Sequence, residues 1–223
     1  MPPTLGELQT EYDRRGLIRK VQRAVALMAP MSVDLPDELT DENGLPIDLK
    51  SGGFLPIGIV TPEGYRFARD IEKDDIDALG YSSYVRSDIT RVARTIVFNA
   101  LETGRRNLTE LLYGVDLEGV PQLANGEVVW DEPDLPLGSE YRFVVVGDDG
   151  PASANWVLGK GFGSVKVANV GEEAWAKEGA LQREVTLDVF VDEELGTPVR
   201  HYLGGTGAEA YRDVLGYASA PGG

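Results

Sequence analysis

YVRSDITRVARTIVFNAL, residues 84–101, is the stretch on which the fold turns. In it Val92, Ile96 and Phe98 recur at period two, which places them on one face of an extended strand. Arg94 falls between them on the same face, so the apolar stripe carries one charge. Downstream, Arg183–Val191 alternates cleanly, with Val185, Leu187, Val189 and Val191 against Glu184, Thr186, Asp188 and Phe190. Tyr141–Val146 is an apolar strand stopped by Gly147-Asp148-Asp149-Gly150. Asn155–Leu158 and Ser164–Val170 read as a strand pair joined across Gly159–Gly163. Upstream, Phe54–Val60 is a strand interrupted by Pro56, Thr61–Gly64 is a turn with Pro second and Gly fourth, and Tyr65–Glu72 is a further strand.

Strands beside turns, with few long helical patterns between them, predict an antiparallel sheet rather than a parallel α/β one. One short helix is expected over Asn107–Tyr113, with Asn107 as cap, Glu110 three residues later and Gly114 past its end. Another is expected over Gly207–Leu215, followed by a small-residue tail, Ala218–Gly223. Apolar residues at spacings of three to five predict a helix over residues 4–28, interrupted at Gly16. A proline- and glycine-rich acidic loop covers 29–53. The expected fold is therefore mainly β: an antiparallel sandwich or partial barrel with one short flanking helix, an N-terminal helical arm and a long loop. The expected division is 1–53 for arm and loop and 54–223 for the β domain.

The 223 residues contain no cysteine and one histidine, His201. Disulfides, thiol nucleophiles, thiolate metal sites and two-histidine sites within one chain are excluded. The net charge is −16: residues 1–112 hold 14 basic and 18 acidic side chains, and residues 113–223 hold 7 and 19. A protein that grips nucleic acid neutralises phosphates with Lys and Arg, and this balance is the reverse. No stretch approaches the about 18 apolar residues that span a bilayer, so no membrane partner is expected. Glu7, Glu11 and Asp13 interrupt any signal-peptide pattern, which makes the cytoplasm the expected site of synthesis.

Several patterns invite chemistry. Gly159-Lys160-Gly161-Phe162-Gly163 suggests a phosphate loop, but it lacks the Gly-Lys-Ser/Thr ending and precedes a strand, so it reads as a hairpin loop. Asp74, Asp75 and Asp77, and Asp192, Glu193 and Glu194, are oxygen-rich without calcium-loop spacing, and read as solvated turns. His201 has no sequence neighbour that makes it a general base. No cofactor and no metal is expected. Arg14, Arg15, Arg19, Lys20 and Arg23 form a basic cluster, either an arm that docks on an acidic neighbour or a solvated face.

The order of pieces from Leu27 to Gly114 resembles the N-terminal half of siphophage major tail tube proteins, particularly those of actinobacteriophages. The pieces are Met28-Ala29-Pro30, the acidic loop, PIGIVTPEGYRF (56–67), RDIEKDDIDALG (69–80) and YVRSDITRVARTIVFNALETGRRNLTELLYG (84–114). VANVGE (167–172) and REVTLDVFVDEELGTPVRHYLGG (183–205) are similar to the family's late strands. The arm is longer than the family's, and Leu79-Gly80 stands where the family has Trp.

The resemblance implies a structural, non-enzymatic virion subunit. Six copies would form a ring, and rings would stack into a tail tube through which double-stranded DNA passes without specific binding. Tape measure protein and other tail proteins would be partners. Alternating strand faces then make Asp70, Glu72, Asp88, Glu184 and Asp188 candidates for an acidic lumen lining. Other readings are a tail terminator, a head decoration protein, or a β-sandwich carbohydrate-binding module with Trp130, Trp156 and Trp175 as its platform.

Overall fold

The computed structural model describes residues 2–218; the tail beyond Ala218 lies outside the described residues. Eight strands form one antiparallel sheet: β1 (Arg23–Pro30), β2 (Leu55–Pro56), β3 (Arg66–Ile76), β4 (Arg86–Ala100), β5 (Tyr141–Asp149), β6 (Trp156–Val170), β7 (Arg183–Phe190) and β8 (Val199–Gly204). The order is β2-β1-β5-β6-β7-β4-β3, with β8 paired to β6. The 15-residue strand β6 makes this topology possible. One of its edges carries β5, while the other is shared in sequence by β8 (Val157–Phe162) and β7 (Ser164–Val170). The sheet thereby curls, and the two arms it sends out face each other as a partial barrel.

Between those arms lies the main core. Ala26, Met28, Phe143 and Val145 come from one side, and Ile96, Phe98, Val185 and Leu187 from the other. Phe98 stacks on Phe143 with ring centroids 5.9 Å apart. Helix α2 (Arg106–Tyr113) closes the core with Leu108, Leu111 and Leu112 and ends at Gly114, whose φ of 57° is the left-handed cap that glycine adopts without strain. The opposite face of β1 and β5 is covered by the 31–54 loop. Leu35, Leu39, Leu49 and Phe54 of this loop bury against Leu27, Ala29 and Val144, and its acids stay outside.

The helix expected over 4–28 is a correction. Helix α1 (Leu5–Tyr12) is capped by a reciprocal Thr4–Glu7 box and stops there; a 3-10 turn follows at Arg15–Leu17, and Arg23–Pro30 is strand β1. Ala26 and Met28 face one core while Leu27 and Ala29 face the other, so every position is apolar and the alternation that marks a half-buried strand is missing. The strand pair expected across Gly159–Gly163 is also corrected, because the glycines lie inside β6. A Cβ at Gly159 would meet Leu39 and Tyr202, one at Gly161 would meet Tyr202 and Leu35, and one at Gly163 would meet Asp192. The glycines are there for close packing, not for phosphate. Of Phe54–Val60 only Leu55–Pro56 is strand, and Val60 bridges Ala100. Asn107 does not cap α2, which begins at Arg106; its amide donates to the Pro56 carbonyl at 3.0 Å and ties the helix to β2. The last helical stretch is split into α3 (Thr206–Ala210) and α4 (Arg212–Leu215).

Candidate functional site

Strands β3 and β4 pair as a ribbon that runs past the core, and all 11 residues of β3 are exposed. Period two divides its side chains. Phe67, opposite Ile96, faces the core side, and Arg69, Ile71 and Lys73 follow it there. Asp70, opposite Ala93, and Glu72, opposite Arg91, face the other way. A bulge between Glu72 and Lys73 resets the partner strand, so Asp88 lies across from Asp74 on that same outer face. In β7, Glu184 lies opposite Asn99 and Asp188 opposite Thr95, again on the outer face. The register therefore brings all five acids singled out in the sequence onto one face of the sheet.

Three of the five have cations within reach. Arg91 meets Glu72 at 3.1 Å, Arg66 meets Glu184 at 3.2 Å and Arg86 meets Asp88 at 2.6 Å. Asp70 and Asp188 have no ion-pair partner among the described residues. These are surface pairs, each worth little in stability, and they leave the face a mixed but acid-rich lattice.

The basic N-terminal cluster is divided. Arg14 donates to the carbonyls of Glu11 and Asp13, and Arg15 is exposed. Arg19 reaches Asp149 at 3.5 Å and lies 4.1 Å over the Trp156 ring. The Lys20 amide donates to the same Asp149 carboxylate at 3.1 Å, and Arg23 pairs with Asp148. The acidic neighbour of the Arg19 and Arg23 side chains is thus the end of the chain's own β5, to which Lys20 is tied by its backbone amide. Gly16 admits the Tyr211 hydroxyl where a Cβ would collide with it, which fastens the same segment to the C-terminal turn.

The remaining sequence candidates also have places. Lys160 and His201 are directly opposed across β6 and β8 and open into a cleft of about 630 Å³ with Arg23, Glu63, Tyr65 and Phe67. Burial, and secondarily the Lys160 ammonium, hold the His201 imidazole below its usual pKa. Burial pushes the Tyr65 hydroxyl up to about 12. The acid cluster 192–194 is not simply a solvated turn: Asp192 is buried against the Arg142 guanidinium, whose Nη2 also donates to Glu194 at 3.0 Å. Among the described residues no group of three potential metal ligands gathers. The three tryptophans do not form one surface. Trp156 is 4% exposed, Trp130 meets the edge of Tyr113, and Trp175 stands free with its indole N–H on Glu173.

What the sequence reading missed is the basic character of the ribbon's other face. Arg69 and Lys73 lie four positions apart and so share a strand face, a signal legible in the sequence, but their union with Arg94 needs the β3–β4 register.

No family model matches the chain, and no curated protein matches it. Solved structures do. A chain of the six-fold symmetrised anti-feeding prophage baseplate aligns over 85% of this chain and 97% of its own, at 10% identity and a TM-score of 0.43. The SPP1 tail tube aligns over 92% and 93%, at 10% identity and a TM-score of 0.43. Hcp1 from Salmonella typhimurium aligns over 80% and 91%, at 13% identity and a TM-score of 0.31.

Proposed function

We propose that this chain is a structural subunit of a bacteriophage tail tube, assembling with copies of itself into stacked hexameric rings around a lumen for duplex DNA. The observation that carries the reading is the β3–β4 ribbon. The outer edge of β3 is free along its length, every one of its residues is exposed, and it shows Phe67, Ile71 and Ile76 to solvent. A long, partly apolar, unpaired edge is a template for another chain, which soluble monomers avoid and which ring closure removes. In this reading residues 54–223, completed by β1, form the tube domain, and the segment before β1 is the arm. Tape measure protein and other tail proteins are the further partners, the virion tail is the location, and synthesis is in the host cytoplasm.

Negative-stain electron microscopy of the purified chain tests the reading. Rods of uniform width are expected. Single rings that never stack would make it a tail terminator, and a chain that stays monomeric at tens of micromolar would sink the proposal.

The outer-face acids supply the lumen lining in this reading. Like charge keeps a passing duplex from adhering to the wall. Replacing Asp70 and Asp188 with lysine removes the two acids that hold no cation. Rods should still form, and DNA release from virions carrying the variant should slow; release at the unchanged rate would argue against the lining.

A further inference from the structure

The face of the ribbon opposite the acids is basic. Arg69 and Arg94 are directly opposed across β3 and β4, and Lys73 follows Arg69 on the same face. Like charges placed directly opposite each other destabilise a sheet unless a counter-charge intervenes. None intervenes here: among the described residues no carboxylate forms an ion pair with Arg69, Lys73 or Arg94, and the one hydrogen bond of Arg94 runs to its own strand at the Val92 carbonyl. Ile71, 42% exposed, stands between Arg69 and Lys73, and Phe67, 39% exposed, stands just before Arg69 on the same face. An apolar stripe flanked by unneutralised cations, in a chain of net charge −16, fits a partner that is acidic and preformed.

The chain itself carries such a surface. Its 31–54 loop turns Leu35, Leu39, Leu49 and Phe54 inward, where they are buried, and turns Asp34, Asp37, Glu38, Asp41, Glu42 and Asp48 outward. The buried leucines hold the loop in place, so presenting these acids costs little further ordering. Asp37 is already paired with Arg200, the Asp41 carboxylate takes the amides of Asn43 and Leu45, and Asp48 takes that of Lys50. Asp34, Glu38 and Glu42 have neither an ion pair nor a hydrogen bond among the described residues.

We propose that the basic face of the β3–β4 ribbon (Phe67, Arg69, Ile71, Lys73 and Arg94) docks on the acidic loop (Asp34, Glu38 and Glu42) of a second copy of this chain. The proposal rests on the reading of the chain as a self-assembling subunit and specifies which surfaces meet. The contact joins two different patches, so each copy uses its ribbon on one neighbour and offers its loop to another, and the contact propagates. The ribbon's two faces then differ in balance: the acid-rich mixed face, which also holds Arg66, Arg86 and Arg91, turns away from the contact, and the face on which Arg69, Lys73 and Arg94 outnumber Asp75 turns toward it.

Sedimentation velocity of the full chain tests this, with circular dichroism to confirm folding. Wild-type association is expected to weaken at least about tenfold between ~0.05 M and ~0.5 M salt, because exposed charge pairs are screened. Arg69→Glu with Arg94→Glu should weaken association to a similar degree, and so should Asp34→Lys with Glu38→Lys and Glu42→Lys. One chain carrying all five changes should recover it, since the charges are exchanged across the contact. Association that ignores both salt and charge reversal overturns the docking while leaving self-assembly intact. Absence of association under every condition overturns self-assembly and the docking with it. Duplex DNA retained by the wild type and released by Arg69→Glu with Arg94→Glu would assign the face to nucleic acid and overturn the proposal.

Discussion

Asp192→Ala is expected to destabilise the fold by about 3–5 kcal/mol, because it strands a buried charge. Arg142 lies on β5 with its side chain 3% exposed, and Asp192, with its side chain 2% exposed, is the anion that neutralises it. The same guanidinium donates to the Gly163 carbonyl at 3.3 Å, and the other carboxylate oxygen of Asp192 accepts the amides of Glu194 and Leu195 at 2.8 and 3.0 Å. One ion pair thus joins β5, the bend of β6 and the turn between β7 and β8. Glu194 cannot replace Asp192, since its side chain is 75% exposed and shares its field with water. Breaking such a pair costs more than removing it whole. Arg142→Met combined with Asp192→Leu should therefore recover most of the loss. Denaturant unfolding of the three proteins measures this, and a loss below ~1 kcal/mol for Asp192→Ala would show that the guanidinium finds water or another anion.

Phe98→Ala should cost about 3–5 kcal/mol, through lost transfer energy and the cavity left behind. Phe98 is 1% exposed and sits between Tyr65 at 5.6 Å and Phe143 at 5.9 Å, at the centre of the contact between the two arms of the curled sheet. In a chain of this length the melting temperature should fall by roughly 10 °C. Phe67→Ala is the contrast. Phe67 also stacks, on Phe162 at 5.8 Å, but it stands at the mouth of the core and is partly in solvent, so the loss should stay below ~2 kcal/mol. Equal losses in calorimetry would mean that the ribbon base is as well packed as the core, against the division of the sheet described above.

Strands that are half-buried were legible because their two faces differ. Val185 and Leu187 against Glu184 and Thr186 is one example, and Val92, Ile96 and Phe98 another. Strand β1 was not legible, because both faces of its Ala26–Ala29 stretch are covered and a continuous apolar run fits a buried helix equally well. The glycines of β6 were misread for a related reason. A glycine in a turn and a glycine under a tyrosine look alike until the tyrosine is placed, and Tyr202 is contributed from some forty positions downstream.

The candidate site shows the same division. The acids Asp70, Glu72, Asp88, Glu184 and Asp188, the basic cluster over residues 14–23, and the absence of cysteine are properties of composition and local spacing, and the sequence by itself determined them. Which acids share a face, that Arg69 stands against Arg94, and that Arg19 and Arg23 are spent on Asp149 and Asp148 of the same chain were decided only by the tertiary structure. The physical reason is register. A strand's own alternation assigns each side chain to one of two faces, but which face it shares with a second strand depends on the pairing between them, and a one-residue bulge such as that after Glu72 exchanges the faces.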